Sequence, residues 1–269
     1  MGAWHYDNTV QVRARGSGQF DSDGSVALPR HLRQAHAAVT VERMIAWTEV
    51  ARATVPGQTL PLVLARHDDE FVIRVGAKAL MSSRAHASEE ALATGACERL
   101  AVAAGARVLV GGLGMGFTLA AALSALPANA KVVVCELVAS IVDWNRGPLA
   151  QLAGRPLEDP RVTVQIGDLA NALRESEHAF DAILLDVDNG PDALTQPANA
   201  WLYGAPGLRA AARALRPGGV LAVWSVAPDA AFSQRLAGAG FAVEEVPVRA
   251  HAGRGSRHVL WFARPAASG

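Results

Sequence analysis

The sequence predicts an α/β protein in which a mostly parallel sheet is covered by helices on both faces and preceded by a small β-rich region. Three observations predict it. From residue 107 onward, apolar runs of strand length alternate with helical segments over short connections, the pattern of a parallel sheet built from strand–helix–strand units. The first of these runs, Val108-Leu109-Val110, passes directly into Gly111-Gly112-Leu113-Gly114-Met115-Gly116, a glycine-rich strand-to-helix turn. Upstream, the apolar runs 60–65 and 71–75 are separated by His67-Asp68-Asp69-Glu70, which reads as a β-hairpin with a polar turn.

Taken in order, residues 1–45 are polar and punctuated by Gly and Ser, and a mostly disordered extension is expected there. Within it, Val39, Arg43 and Trp47 follow helical spacing, consistent with a short helix between Leu32 and Ala46. Residues 46–86 form the β-rich region, with the hairpin and a third strand over 77–80. The main domain is expected over 87–264, with 265–269 a tail. It opens on an amphipathic helix for which Ser88 is the candidate N-cap, with Glu89 and Glu90 in the first turn. Strands follow at 107–111, 131–136, 161–166, 181–186 and 219–225, and helices at 116–126, 138–146, 169–175, 205–215 and 229–237. Arg216-Pro217-Gly218-Gly219 ends a helix before a buried strand, and two extended runs, 241–248 and 258–263, close the chain.

At 269 residues the chain is long enough for one large α/β domain and a small appendage. Lys plus Arg and Asp plus Glu number 25 each, and with no long run of like charge a nucleic-acid partner is not expected. Cys97 and Cys135 lack metal-ligand spacing, so no metal is expected and both read as buried thiols of a reducing cytoplasm. Residues 1–20 lack a signal-peptide pattern and no apolar run of about eighteen residues is present, so the expectation is a cytoplasmic protein without a membrane partner.

The chemistry gathers at strand ends. Glycines 112, 114 and 116 permit a close ligand approach, and Glu136 ends the next apolar run, about twenty residues on, where a carboxylate can accept both ribose hydroxyl protons. An adenosine-type cofactor site follows. A dinucleotide fingerprint would need glycine at 117, where this chain has Phe117. The G-x-G-x-G spacing instead resembles the nucleoside loop of S-adenosylmethionine-dependent methyltransferases. Asp168, in Gly167-Asp168-Leu169, follows the third strand, and Asp186 ends the fourth. Each acid singly reads equally well as a helix cap or a surface acid; three at successive strand ends favour a site. The expected cofactor-binding set is Gly112, Gly114, Gly116, Glu136, Leu137, Gly167, Asp168, Leu169 and Asp186, with Glu136 on the ribose, Asp168 on the adenine amino group and Asp186 facing the sulfonium.

From about Trp47 to Arg264 the chain resembles the spermidine synthase-like branch of the class I S-adenosylmethionine-dependent methyltransferase superfamily. The resemblance rests on the β-rich lead-in, Met81-Ser-Ser-Arg-Ala-His-Ala-Ser-Glu-Glu, the glycine loop, Glu136, and Phe180-Asp-Ala-Ile-Leu-Leu-Asp-Val-Asp-Asn-Gly-Pro. Leu202-Tyr-Gly-Ala-Pro-Gly-Leu and Leu215-Arg-Pro-Gly-Gly add to it. It implies a Rossmann-like, mostly parallel seven-stranded sheet ending in an antiparallel hairpin. It also implies S-adenosylmethionine or its decarboxylated form as cofactor, a small-molecule acceptor such as an amine, and a homodimer through residues 60–81.

The departures bear on the reaction. Aminopropyltransferases resembling Gly-Gly-Gly-Asp-Gly-Gly place an acid where this chain has Gly114, and that acid grips the free amine of decarboxylated S-adenosylmethionine. Intact S-adenosylmethionine and methyl transfer are therefore expected here, with aminopropyl transfer the alternative and a non-catalytic cofactor-binding or dimer-scaffold protein a third reading. The family's catalytic loop resembles Asp-Ser-Ser-Asp-Pro. Asp186 matches its first acid, and the second is displaced to Asp188 or replaced by Asn189. The catalytic candidates are Asp186 first, Asp188 second, and His86 as a base or substrate contact that reads more simply as a loop histidine. Arg84 is a carboxylate partner or a solvated arginine, Asn145-Arg146-Gly147-Pro148 part of a wall near the adenine with Arg146 reading more simply as a cation at a helix C-terminus, and Trp144, Trp201, Tyr203 and Trp224 cleft or core aromatics, with Trp201 and Tyr203 the better cleft candidates.

Overall fold

The computed structural model describes residues 46–101, 104–187, 190, 197–251 and 254–266. The predicted extension over 1–45 and the candidate residues Asp188 and Asn189 lie outside them.

Four antiparallel strands come first and pair in sequence order: β1 (Thr48–Ala53), β2 (Leu62–His67), β3 (Glu70–Val75) and β4 (Lys78–Ser82). Residues Asp68 and Gly76, both at positive φ, turn the chain between β2 and β3 and between β3 and β4. The sequence reading missed β1 because most of its residues are exposed, which leaves no apolar alternation to detect. The β3–β4 register runs Ile73↔Met81 and then Arg74↔Ala79, so Leu80 is an extra residue. Side chains alternate faces along a strand, and a bulge of one residue resets that alternation. Lys78 and Met81 thereby share a face with Val75 and Ile73, to which they are paired.

Helix α1 (Ala87–Glu98) links this sheet to the larger one. Its N-cap is His86, which makes no side-chain capping bond, rather than the expected Ser88. Ser88 lies inside the helix, fully buried, with Oγ 2.9 Å from His258 Nδ1. A hydroxyl that would cap an isolated helix instead fastens this one to the far end of the chain.

The large sheet contains β5 (Arg107–Gly111), β6 (Lys131–Glu136), β7 (Val162–Ile166), β8 (Phe180–Leu185), β9 (Leu215–Ser225), β10 (Phe241–His251) and β11 (Arg254–Pro265), in the order β10-β11-β9-β8-β5-β6-β7. Strands β5 to β9 are parallel; β11 runs antiparallel to β9, and β10 to β11. This is the expected seven-stranded sheet with its closing hairpin. The helices are α2 (Phe117–Ala125), α3 (Ala139–Arg146), α4 (Leu169–Glu175), α5 (Pro197–Tyr203), α6 (Ala205–Ala214) and α7 (Ala230–Gly238). Val108 and Val110 enter the core containing Leu92, Leu119 and Ile141, and Leu109 enters the one containing Leu173, Leu208 and Phe232. An apolar run buried on both faces is what the unbroken Val-Leu-Val pattern encodes.

Strand β9 begins at Leu215, four residues before the expected start. Helical backbone is disfavoured in the residue before a proline, so Arg216 extends ahead of Pro217, and its Nη1 donates to Asp181 Oδ2 at 2.8 Å. Among the described residues no helix is long and apolar enough to cross a membrane.

Candidate functional site

From β5 the chain continues to β6 and β7 on one side of the sheet and to β8 and β9 on the other. The order reverses between β5 and β8, and ligands of open α/β sheets bind beyond the carboxyl ends of strands at such a point. A cavity of about 220 Å³ lies there. Its floor includes Gly112, Gly114, Glu136 and Asp186; Leu137, Ile141 and Leu169 supply apolar wall; and Ile73, Val75, Lys78 and Met81 of the small sheet line the opposite side.

Gly112 is required by contact and Gly114 by its backbone angle. A β-carbon on Gly112, at φ 86°, would lie 2.6 Å from the Asp186 carbonyl oxygen, so the loop can pass β8 only as bare backbone. At Gly114, φ 53°, a β-carbon would lie 3.2 Å from Met81 Sδ. Asn145 Nδ2 donates to the Gly114 carbonyl and to the Ile141 carbonyl, both at 2.9 Å, and so ties the loop to α3. The expected part of Asn145 in a wall near the adenine becomes a clamp on the loop. Gly116 is the left-handed N-cap of α2, behind the loop and outside the cavity lining.

Glu136 is buried, and its carboxylate accepts the Leu113 amide at Oε2, 2.9 Å, and the Val138 amide at Oε1, 2.8 Å. These bonds fix its orientation at the cavity. A carboxylate has about four lone-pair positions, so holding two amides is compatible with accepting ligand hydroxyls as well. Asp168 lines the cavity and also caps α4, its Oδ1 accepting the Ala170 amide at 2.8 Å. The helix-cap reading of that acid is thus met by a side chain of the cavity lining. Cys135 lines the cavity as well, and burial raises its thiol to about 11, which keeps it protonated and unreactive.

Asp186 receives the Thr118 hydroxyl on Oδ2 at 2.5 Å. Burial raises its carboxyl from the ordinary 3.8 to about 6, and the Thr118 bond opposes that rise. Glu89, in the first turn of α1, is held well above the usual carboxylate range by burial first and by the charge of Asp186 second. Its Oε2 is buried with no hydrogen-bond partner among the described residues. The sequence reading treated Glu89 as a helix-start acid; the fold makes it the electrostatic neighbour of Asp186.

Other candidates sit elsewhere. His86 stacks on Phe117 with ring centroids 4.1 Å apart and holds Glu90 at 2.8 Å, outside the cavity lining. Arg84 pairs with Asp69 and Glu70. Tyr203 is a core residue rather than a cleft residue: it is buried, edge-on to Phe232, and its hydroxyl donates to the Val187 carbonyl at 2.9 Å. That bond ties it to the backbone beside Asp186. Trp201 lies under the Arg174 guanidinium, at 4.0 Å, and Trp144 is buried. Sequence reasoning missed Thr118, Lys78 and Met81. Thr118 carries no motif, and the β4 bulge that sets Lys78 and Met81 opposite Val75 and Ile73 has no sequence signature.

Comparison with known proteins bears on this arrangement. Residues 97–230 match the spermine/spermidine synthase domain. Putrescine N-methyltransferase 4 of Nicotiana tabacum is 36% identical over 116 residues, 43% of this chain and 28% of that protein. The polyamine aminopropyltransferase of Mycobacterium tuberculosis (strain ATCC 25618 / H37Rv) is 36% identical over 132 residues, 48% of this chain and 24% of that protein. The match thus spans roughly a quarter of the length of these curated relatives. Spermidine synthase from Thermotoga maritima superposes with a TM-score of 0.64 at 17% identity, covering 82% of this chain and 73% of that one. A spermidine synthase in complex with the transition-state analogue AdoDATO gives 0.65 over the same shares. With the matched domain and the related sequences in agreement, residues 97–230 belong to the spermine/spermidine synthase domain family, and the chain shares the spermidine synthase fold.

Proposed function

We propose that the protein is an S-adenosylmethionine-dependent transferase that moves a methyl group to a small-molecule nucleophile, an amine of the polyamine type. The cavity suits a nucleoside, with apolar walls for the base and oriented carboxylates where polar edges would lie. Glu136 would hold the ribose hydroxyls, Asp168 the adenine amino group, and Leu137 and Leu169 the faces of the base. When bound, S-adenosylmethionine supplies a sulfonium carbon open to in-line attack. Positioning then does most of the catalysis. Asp186 would orient the incoming neutral amine by accepting its N–H and take up the proton released as the C–N bond forms and the methyl carbon–sulfur bond breaks, the sulfur leaving as a neutral thioether. A carboxyl at about 6 is ionised at neutral pH yet basic enough to accept that proton.

The observation that carries methyl over aminopropyl transfer is Gly114. An acid there would grip the free amine of decarboxylated S-adenosylmethionine, and this chain has bare backbone with Met81 against it. Aminopropyl transfer is the second reading, favoured by the aminopropyltransferase relative at the same 36% identity. Calorimetry with the two cofactors separates them: tighter binding of intact S-adenosylmethionine is expected, and the reverse order would establish the aminopropyl reading. Gly114→Asp in a Met81→Ala background is expected to shift the binding ratio toward the decarboxylated form by about tenfold. The single Gly114→Asp change is expected to be destabilised by about 1 kcal/mol or more, because the positive φ strains a side chain.

Thr118→Val tests the role of the hydroxyl at Asp186. The Thr118 bond lowers the carboxyl, so its loss raises it. The acid limb of kcat/KM is expected to move upward by about half a unit to one unit, with the plateau largely retained; an unmoved limb would remove Asp186 as the group that titrates. The homodimer through residues 60–81 belongs to the same proposal and is read by sedimentation.

A further inference from the structure

Among the residues lining the cavity, three are carboxylates, Glu136, Asp168 and Asp186, and one is a cation, Lys78. The carboxylates are engaged by the protein: Glu136 by the amides of Leu113 and Val138, Asp168 by that of Ala170, and Asp186 by the Thr118 hydroxyl. Lys78 is exposed, and no hydrogen bond or ion pair engages it among the described residues.

Its place on the cavity wall depends on the backbone. Lys78 and Met81 are three residues apart, and in a regular strand they would face opposite ways. The extra residue Leu80 resets the alternation, so Lys78 pairs with Val75 and Met81 with Ile73; these four and Leu80 itself line the cavity. The same bulge brings Met81 against Gly114, its Sδ 3.2 Å from where a β-carbon would begin. One irregularity thus fills the space beside the bare glycine and adds a positive charge to the cavity wall.

We propose that Lys78 binds the carboxylate of the amino-acid tail of S-adenosylmethionine and so selects that molecule over its decarboxylated form, an inference that rests on the functional reading above. The two molecules share nucleoside, sulfonium and amine, and differ in one carboxylate. An ammonium forms a charge-assisted hydrogen bond to that group. The decarboxylated molecule has one more net positive charge, which the same ammonium repels. Gly114 removes a negative charge that would repel the tail carboxylate and Lys78 adds an attraction for that carboxylate, so both changes favour the intact molecule.

Calorimetry on the full chain tests this with two probes, S-adenosylhomocysteine and methylthioadenosine, which share a nucleoside thioether while the second lacks the amino-acid tail. Lys78→Met is expected to weaken S-adenosylhomocysteine about tenfold and to leave methylthioadenosine within about twofold. Lys78→Arg, which keeps the charge, is expected to retain most of the affinity. Equal weakening of both probes in Lys78→Met would show a structural effect and overturn the assignment, as would an unchanged affinity for S-adenosylhomocysteine. A wild-type protein that binds neither probe would overturn the functional reading and this inference together, a result distinct from the other two.

Discussion

Asp186→Asn is expected to raise thermal stability near pH 7.5 while lowering kcat on an amine acceptor by at least about 100-fold. Both effects have one source. The folded protein holds the Asp186 carboxyl at about 6, against an ordinary 3.8, chiefly through burial. A carboxyl raised in the folded state binds its proton more tightly there than in the unfolded chain. Between about pH 4 and pH 6 the folded state therefore carries more protons, and stability falls as pH rises through that window. Above it the full penalty of the buried charge is present, on the order of 3 kcal/mol. Asparagine has nearly the same shape, its carbonyl can accept the Thr118 hydroxyl, and it carries no charge to desolvate. The charge of Asp186 also raises Glu89, so the substitution relieves that neighbour as well. Melting curves of wild type and variant should diverge above pH 6 and converge below pH 4, whereas a constant offset across pH would refute burial of charge as the cause. The wild-type kcat/KM should fall as pH drops through about 6, as the accepting carboxylate becomes protonated. Retained turnover in the variant would leave the cofactor site intact and remove Asp186 from the chemistry.

Glu136→Gln should weaken binding of methylthioadenosine about 100-fold, because hydrogen bonds to a charged acceptor are among the stronger ones. It should also lower stability, and for a separate reason. Glu136 presents acceptor oxygens to two backbone donors, the amides of Leu113 and Val138. A glutamine can satisfy only one with its carbonyl; its NH2 then faces the other N–H, donor against donor. Leaving one buried donor unmet costs about 1–3 kcal/mol. Calorimetry and thermal unfolding on the same preparation read the two effects separately. An unchanged affinity would take the ribose contact away from Glu136 even if stability fell.

Much of this was visible in the chain as written. The run Val108-Leu109-Val110 announces a strand buried on both faces, and it is buried on both. The spacing from the glycine loop to Glu136 places a carboxylate at the end of the neighbouring strand because one strand–helix–strand unit has nearly fixed length, and Glu136 indeed accepts a bond from the loop at Leu113. The small sheet was less legible. β1 offers no apolar alternation, and a bulge has no composition of its own, so the face on which Lys78 would lie could not be read from its neighbours. Ser88 obeyed a local rule for helix caps in the sequence reading and was drawn inside the helix by His258, 170 positions away.

The sequence by itself determined the alternation of strands and helices, the bare backbone at the glycine-rich turn, and the acids at three successive strand ends, because those features depend on periodicity and on residues a few places apart. The tertiary structure alone decided which groups stand beside those acids: Thr118 on Asp186, Glu89 within reach of its charge, Asn145 on the glycine loop, and Lys78 and Met81 across the cavity. Those neighbours set the electrostatics of the site. Solvation and charge depend on distance in space, which the order of residues along a chain does not carry.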